Sequence, residues 1–104
     1  MARMVVIYKT PKDPVAFDEH YFGVHVPLAK RLPGLRKYEV SRGPLAMPAG
    51  GPGLHMVAML HFDSLAAIQA AFATPEGRAC GADRRLLAPN DEDVIMLLFD
   101  DREV

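Results

Sequence analysis

The sequence lacks the features that typify secreted, membrane-spanning and nucleic-acid-binding proteins. Its single cysteine, Cys80, cannot form an internal disulfide, and such a chain is expected in a reducing cytoplasm. The opening residues, MARMVVIYK, have neither the long apolar run nor the cleavage site of a signal peptide, and no later stretch reaches membrane-spanning length. The formal net charge of −1 gives no attraction for nucleic acid or an anionic membrane. We therefore expect a cytoplasmic protein that binds neither.

Side chains that could hold a metal ion or a phosphate group are also poorly grouped. His55 and His61 are predicted to share one strand face, but at the rise of a strand they lie about 20 Å apart. His20 and His25 are five residues apart on a predicted helix, so their side chains diverge. The glycine-rich segment 50–53 does not lie between a strand and a helix N-terminus, where a phosphate would bind. We predict no metal ion and no cofactor.

The remaining composition is that of a globular domain. Half of the 104 residues are hydrophobic and 24% are charged, which is the usual balance for a chain that folds around a core. A chain of this length is long enough to bury one core but not two. We therefore expect residues 1–104 to form a single domain.

Strand and helix patterns alternate along the chain in the order βαββαβ. The strand segments are rich in Val, Ile, Met and Tyr. Asp13, Ser64 and Thr74 are predicted helix N-caps, and a proline follows the first and the last of them. Segment 43–53 has many Gly and Pro residues and no periodicity, which predicts a long loop. The predicted strands span residues 4–9, 35–42, 54–62 and 93–100. The predicted helices span residues 14–32 and 64–86, the second with a break at residue 74.

This order of elements predicts an α+β fold of the ferredoxin-like type, a four-stranded antiparallel sheet with both helices on one face. The helix-free face needs a second cover, because the first and last strands are apolar on both sides. Left open, that face would be an apolar patch too large for a soluble protein. We therefore predict a homodimer with a cavity between sheet and helices. RNA-recognition modules share the element order, but the third strand, HMVAMLHF, lacks their Gly-aromatic pattern.

The first helix carries the most informative part of the sequence. Pro27 lies inside its pattern and would clash with the carbonyl of Gly23, which predicts a kink there. Tyr21 and His25 lie one turn apart and share a helix face. His25 borders the apolar stripe, where an imidazole could reach a partly buried cavity. The predicted core-facing stripe consists of Phe17, Tyr21, Val24 and Leu28.

Several short motifs are spread over nearly the whole chain. They are Tyr21-x-x-x-His25-x-Pro27-Leu28, Leu32-Pro33-Gly34-Leu35-x-x-Tyr38, Phe62-Asp63-Ser64, and Thr74-Pro75-Glu76-Gly77 with Asp83. Together they resemble the EthD family of the dimeric α+β barrel superfamily. The resemblance implies a ferredoxin-like homodimer, a dimeric α+β barrel, with a pocket in each subunit. Relatives in that superfamily include cofactor-free monooxygenases, polyketide cyclases, lactone isomerases and haem-handling enzymes, and a shared fold does not fix function.

A few side chains are candidates for a site in the predicted cavity. His25 could act as a general acid or base, since a small change of environment brings an imidazole into use near neutral pH. The alternative is a structural His25 that bonds a carbonyl freed by Pro27. The tyrosines could turn their hydroxyls into the cavity or serve only as packing residues. The predicted substrate-binding residues are Tyr8, Tyr21, Tyr38 and His61.

The leading function hypothesis is a cofactor-independent enzyme of small-molecule metabolism that acts on an aromatic, polyketide-like or ether compound. Its central step would be proton transfer by His25 at an acidic C–H bond or a phenol. Isomerisation, cyclisation, decarboxylation and oxygenation all begin with such a step. The alternative is a non-catalytic small-molecule-binding or accessory protein of an oxygenase or degradation system. Haem binding through His25 is a third hypothesis.

Overall fold

A four-stranded antiparallel sheet is the centre of the structure, a computed structural model that describes residues 1–104. The strands are β1 (Ala2–Lys9), β2 (Lys37–Val40), β3 (Leu54–Phe62) and β4 (Val94–Asp100). They lie side by side in the order β2-β3-β1-β4. β1 begins two residues before the predicted strand, and β2 contains only the middle of the predicted one.

The helices are also close to the predicted ranges. They are α1 (Pro14–His20), α2 (Val26–Ala29), α3 (Leu65–Phe72) and α4 (Pro75–Leu87), with a π-helical turn at Tyr21–His25 and a 3-10 turn at Asp91–Asp93. α1, the π-helical turn and α2 are continuous, so the first predicted helix is present but ends three residues early. Asp13, Ser64 and Thr74 accept hydrogen bonds from backbone N–H groups of α1, α3 and α4, which confirms the three predicted N-caps. None of these helices is both long and apolar enough to cross a membrane.

The helices pack on one face of the sheet, so the predicted α+β, ferredoxin-like fold is confirmed. Side chains alternate across a strand, and one set from each central strand is buried beneath the helices. These apolar side chains form the core together with residues of all the longer helices. The buried strand residues are Ala2, Met4, Val6, Tyr8, Met56, Ala58, Leu60 and Phe62.

The opposite face of the sheet is a broad apolar surface without a cover in this chain. Val5 at its centre pairs with Met59 on one side and with Leu97 on the other. Leu97 is 47% exposed, as expected for a residue on a bare edge strand. Apolar patches of this kind are normally places where a partner binds. We call this surface the open sheet face, and it consists of Val5, Ile7, Val57, Met59, Ile95, Leu97 and Phe99.

A register shift near the start of β3 separates two histidines that were predicted to share a strand face. At this point β3 contains one residue more than β1, and the extra residue is His55. Its Nε2 lies 2.7 Å from the carboxylate of Asp18, and its ring meets the Phe17 ring edge-on. His55 therefore contacts α1, whereas His61 lies on the helix-free side. The prediction of a shared face is wrong, because strict alternation fails at a bulge.

The corner between α3 and α4 depends on a glycine. Gly77 lies in the first turn of α4, and a Cβ atom built there would lie 2.3 Å from the carbonyl oxygen of Ala71 and 2.4 Å from Cα of Phe72. Both are backbone atoms, so they cannot rotate away as a side chain can. Gly81, one turn further along α4, has no atom within 4 Å of its own added Cβ.

The two glycines of α4 should respond to alanine in opposite ways. Gly77→Ala should lower the free energy of unfolding by about 1–3 kcal/mol, because the two helices must separate to admit the methyl group. Gly81→Ala should raise it by about 0.5–1 kcal/mol, since alanine loses less backbone freedom in a helix. Denaturant unfolding followed by circular dichroism measures both changes. Equal effects at the two positions would contradict the close corner.

Candidate active site

A π-helical turn sets the direction of the side chains that face the sheet from the first helix. Its last backbone bond runs from the Val26 N–H to the Tyr21 carbonyl, five residues back, where an α-helix would use the fourth. The wider turn keeps residues four apart on the same side of the helix. The buried residues of α1, the π-helical turn and α2 are accordingly Phe17, Tyr21, His25 and Ala29.

The core stripe predicted for this helix is therefore partly wrong. Val24, which an α-helical period of 3.6 residues places in the core, is 44% exposed. Leu28 is only partly buried, and His25, predicted at the border of the stripe, is buried. The kink expected between Gly23 and Pro27 takes the form of the π-helical turn. Such turns are frequent at functional sites.

The carboxylate of Asp83 joins α4 to the first helix by binding two histidines. Nδ1 of His25 lies 2.9 Å from one carboxylate oxygen, and Nε2 of His20 lies 2.8 Å from the other. Asp83 and His25 are both buried, whereas the side chain of His20 is partly exposed. Because both carboxylate oxygens are bonded, the orientation of the His25 ring is fixed.

The contact with Asp83 determines which nitrogen of His25 is basic. A carboxylate accepts hydrogen bonds, so Nδ1 of the neutral imidazole carries the proton and donates it to Asp83. Nε2 then keeps a free lone pair. Every fully buried side-chain nitrogen and oxygen has a hydrogen-bond partner, and Nε2 of His25 has none in the chain, so Nε2 reaches open space. His25 thus presents a basic nitrogen to a space that a ligand can enter.

Burial lowers the pKa of His25 below its ordinary value of 6.5. The hydrogen bond and the negative charge of Asp83 raise the pKa, but they do not outweigh the loss of hydration. The nearby positive charge of Arg84 lowers it further. The imidazole is therefore neutral at neutral pH, which is the form that can accept a proton.

His25 lies in the wall of a cavity of about 440 Å³ between the sheet and the helices. A volume of this order suits a small organic molecule. The lining is mostly apolar, and no residue of the 43–53 loop contributes to it. The apolar lining includes Met4, Val6, Leu60, Ile68, Met96 and Leu98.

Three tyrosines contribute hydroxyl groups to the cavity. Tyr8 comes from β1, Tyr21 from the π-helical turn and Tyr38 from β2. The hydroxyl oxygens of Tyr21 and Tyr38 lie 2.5 Å apart, so one donates to the other. Burial raises the pKa of all three phenols, that of Tyr38 to about 12. The hydroxyls are therefore protonated at neutral pH. Tyr8, and the one of Tyr21 and Tyr38 that does not donate to the other, can donate hydrogen bonds to a ligand oxygen.

The structure brings together His25 and the three tyrosines predicted for the site but not His61. Leu60 and Phe62 point toward the helices, so His61 between them points to the other side of the sheet. There its Nε2 lies 2.8 Å from the carboxylate of Glu39. His61 therefore does not share the cavity with the other predicted residues.

Asp83 belongs to the candidate site, but the sequence analysis gave it only a place in a family motif and no role. The signal was present in the spacing of α4. Gly77, Cys80 and the partly buried Leu87 follow its inner side at helical intervals, and Asp83 falls on the same side. A carboxylate among core positions requires partners, and the histidines of the first helix were available.

The arrangement as a whole combines a neutral, oriented base with hydroxyl donors on an apolar wall. Such a site can remove a proton from a weakly acidic bond and stabilise the negative charge that develops on a neighbouring oxygen. No three His, Cys, Asp or Glu side chains are grouped so that they could hold a metal ion.

Known proteins resemble this chain over nearly its whole length. A protein of Rhodococcus erythropolis, described as an uncharacterized 11.0 kDa protein in the thcB-thcC intergenic region, is 35% identical over 103 residues, which cover 99% of this chain and 96% of the relative. The crystal structure of an EthD family protein from Bacillus halodurans has 31% identity and a TM-score of 0.87, with 98% and 99% of the two chains covered.

More distant structures share the fold. SnoaB, a cofactor-independent oxygenase from Streptomyces nogalater, has 18% identity and a TM-score of 0.68, with 99% of this chain and 94% of that chain covered. A hydroxynitrile lyase from Passiflora edulis has 16% identity and a TM-score of 0.72 at the same coverage. A ferredoxin-like protein of unknown function from Bacteroides fragilis, with 19% identity and a TM-score of 0.65 over 96% and 95% of the chains, is described as dimeric.

The family is shown by a family model and by a similar protein of that family. The EthD domain model matches residues 9–88, a range that includes His25, Asp83 and two of the three cavity tyrosines. The Rhodococcus and Bacillus relatives exceed 30% identity over almost their full length. This chain belongs to the EthD domain family.

Proposed function

We propose that residues 1–104 form a single cytoplasmic domain that works as a cofactor-independent enzyme on a small, largely apolar, oxygenated molecule. The substrate is aromatic, polyketide-like or an ether, and His25 transfers the proton. One observation carries the proposal. The buried carboxylate of Asp83 holds His25 by Nδ1 and leaves Nε2 unbonded beside an apolar cavity.

The proposed reaction begins when Nε2 of His25 removes a proton from an acidic C–H or O–H bond of the substrate. The electron pair of that bond moves onto the substrate and leaves negative charge on its oxygen. Asp83 stabilises the imidazolium. Tyr8, and the one of Tyr21 and Tyr38 whose proton is not used between them, donate hydrogen bonds to the oxygen. Return of the proton from His25 to another atom completes an isomerisation or a cyclisation, and the protein ends as it began.

The fold relatives support this class of chemistry without identifying the reaction. A cofactor-independent oxygenase and a hydroxynitrile lyase share the architecture of this chain. At 16–18% identity the likeness concerns the fold alone. Support for the reaction therefore comes from the residues of this chain, in which His25 and Asp83 form the pair suited to move a proton.

A non-catalytic binding or accessory protein of an oxygenase or degradation system is the second candidate. The observation that favours it is the composition of the cavity, in which 13 of the 18 lining residues are hydrophobic. Such a wall binds an apolar molecule whether or not a reaction follows. The two candidates differ in one respect, because only the enzyme requires a base at Nε2 of His25.

We further propose that the protein works as a homodimer through the open sheet face. Support comes from the apolar character of that face and from the dimeric description of a fold relative. A second sheet packed on it would remove the half-exposed side chains of β4 from water. Those side chains are Ile95, Leu97 and Phe99, whereas Met96 and Leu98 point to the cavity side of the sheet.

The central test is deuterium uptake by weakly acidic compounds. A panel of aryl ketones, 1,3-diketones and phenols in D₂O is incubated with the protein, and exchange is followed by NMR. We expect the protein to accelerate exchange of some member of the panel, and His25→Ala to reduce that rate by about 10²–10⁴-fold. His61→Ala should keep the rate, because its imidazole lies across the sheet from the cavity.

Two outcomes of this test would contradict the enzyme proposal. One is an exchange rate that survives His25→Ala in a variant whose melting temperature is unchanged. The other is a bound panel compound that is recovered without deuterium and without chemical change, which would favour the binding protein.

The pH dependence of exchange should reflect the lowered pKa of His25. Activity requires the neutral imidazole, so the rate should stay level as the pH falls through 6.5 and decline only at lower pH. Asp83→Asn removes a charge and a hydrogen bond that raise the pKa of His25. The decline should therefore move to still lower pH, while the maximal rate falls by at least about a hundredfold because the tautomer is no longer fixed. A decline centred at or above pH 6.5 in the unmodified protein would contradict the assignment.

The free energy of unfolding should also depend on pH because of the lowered pKa of His25. Between pH 6.5 and the lowered pKa of the folded protein, His25 binds a proton in the unfolded chain but not in the folded one. Unfolding is therefore favoured as the pH falls through this window, and His25→Gln should remove that part of the pH dependence. Denaturant midpoints measured at a series of pH values test this, and an unchanged dependence in the variant would contradict it.

Dimerisation is tested by a charge on the open sheet face. Leu97→Asp should convert the protein to a monomer at micromolar concentration, because a carboxylate would be buried in the interface without a partner. Leu86→Asp is the matched control, since Leu86 is 74% exposed on α4, away from that face. Sedimentation velocity measures both. A native protein that is already monomeric, or a Leu97→Asp variant that stays dimeric, would refute the proposed interface.

A further inference from the structure

The charged side chains of the cavity all have the same sign. Among the lining residues, Arg84 and Arg85 of α4 are positively charged, and none is Asp or Glu. Asp83 lies next to them in sequence, but both of its oxygens are bonded to histidines. The interior that a ligand meets is therefore apolar with an excess of positive charge.

Neither arginine has a carboxylate partner within the chain. Arg3 and Arg36, by contrast, each bind an aspartate. Arg84 is partly buried, and one of its N–H groups donates a hydrogen bond to the carbonyl of Ala88 at the end of α4. The rest of its guanidinium has no hydrogen bond within the chain. A partly desolvated guanidinium without an anion has an unmet capacity to bind one.

The cavity has an inner end and a mouth of different character. The inner end contains His25 and the buried tyrosines, and the mouth is bordered by the exposed residues Gln69, Arg85 and Met96. Arg84, partly buried on α4, lies near both, since its charge adds to the lowering of the pKa of His25 and partly opposes the rise in the pKa of Tyr8 that burial causes. A molecule that fills the cavity thus meets positive charge at the mouth and a base at the inner end.

We infer that the ligand is a monoanion with an apolar body, such as a hydrophobic carboxylic acid, whose anionic group lies against Arg84 and Arg85 while the body extends toward His25. This inference rests on the proposed function in one respect, namely that the cavity is the ligand-binding site. It adds an orientation, in which the reacting bond lies at the end of the molecule opposite the anionic group. It also excludes cations and favours acids over their neutral esters or amides.

The test compares two fluorescent probes that differ by one anionic group. They are 8-anilinonaphthalene-1-sulfonate and its neutral parent, N-phenyl-1-naphthylamine. We expect the protein to bind the sulfonate about tenfold more tightly than the neutral probe, with an advantage that shrinks as salt is raised. The double variant Arg84→Gln/Arg85→Gln should lose this preference by weakening the sulfonate and not the neutral probe.

Three further variants make the comparison specific. Arg78→Gln removes the same charge from the same helix outside the cavity and should leave both affinities unchanged. Arg84→Lys/Arg85→Lys keeps the charge and should keep most of the preference. If the loss of the Ala88 bond unfolds the Arg84 variants, Arg85→Gln alone is compared and should lower the preference in part. Gly81→Leu places a side chain in the open cavity and should weaken both probes.

Three results would overturn the inference. They are equal or tighter binding of the neutral probe, an unchanged preference in the glutamine variants, or sulfonate binding that Gly81→Leu leaves intact. The readout is affinity, so it is independent of catalysis. If the exchange test with His25→Ala contradicted the enzyme proposal, this inference would still hold. If the anion preference were absent, the exchange test would still decide the role of His25.

Discussion

The contact on which the rest of the site depends is the buried carboxylate of Asp83 between His20 and His25. It joins α4 to the first helix and satisfies a charge that would be costly to bury alone. It also fixes the ring of His25, the proton on Nδ1 and the free lone pair on Nε2. The same two oxygens thus join the helices and set which nitrogen of His25 is protonated, so removing them would affect both.

The local geometry around this contact follows from the backbone. The π-helical turn keeps Tyr21 and His25, which are four residues apart, on the sheet side of the helix. Gly77 lets α4 approach α3 closely. The sheet then presents Tyr8 and Tyr38 to the same space from two strands. Separate segments of the chain therefore converge on one apolar cavity.

Much of this could be read from the sequence, and the failures have physical reasons. Strand alternation, N-caps and the βαββαβ order depend on local patterns, so the fold and three cavity tyrosines were predictable. Val24 was misplaced because a regular 3.6-residue period was assumed where the helix widens. His55 was misplaced by a bulge, which local composition does not reveal. The partnership of His25 with Asp83 spans 58 residues, and no local pattern specifies such a contact.

The protonation state of His25 is the most direct test of the account. Long-range ¹H–¹⁵N NMR spectra of uniformly labelled protein distinguish the two ring nitrogens and follow their titration without any substrate. The account predicts a neutral imidazole at pH 7 with the proton on Nδ1 and a pKa below 6.5. A ring protonated on Nε2, or a pKa of 6.5 or higher, would contradict it.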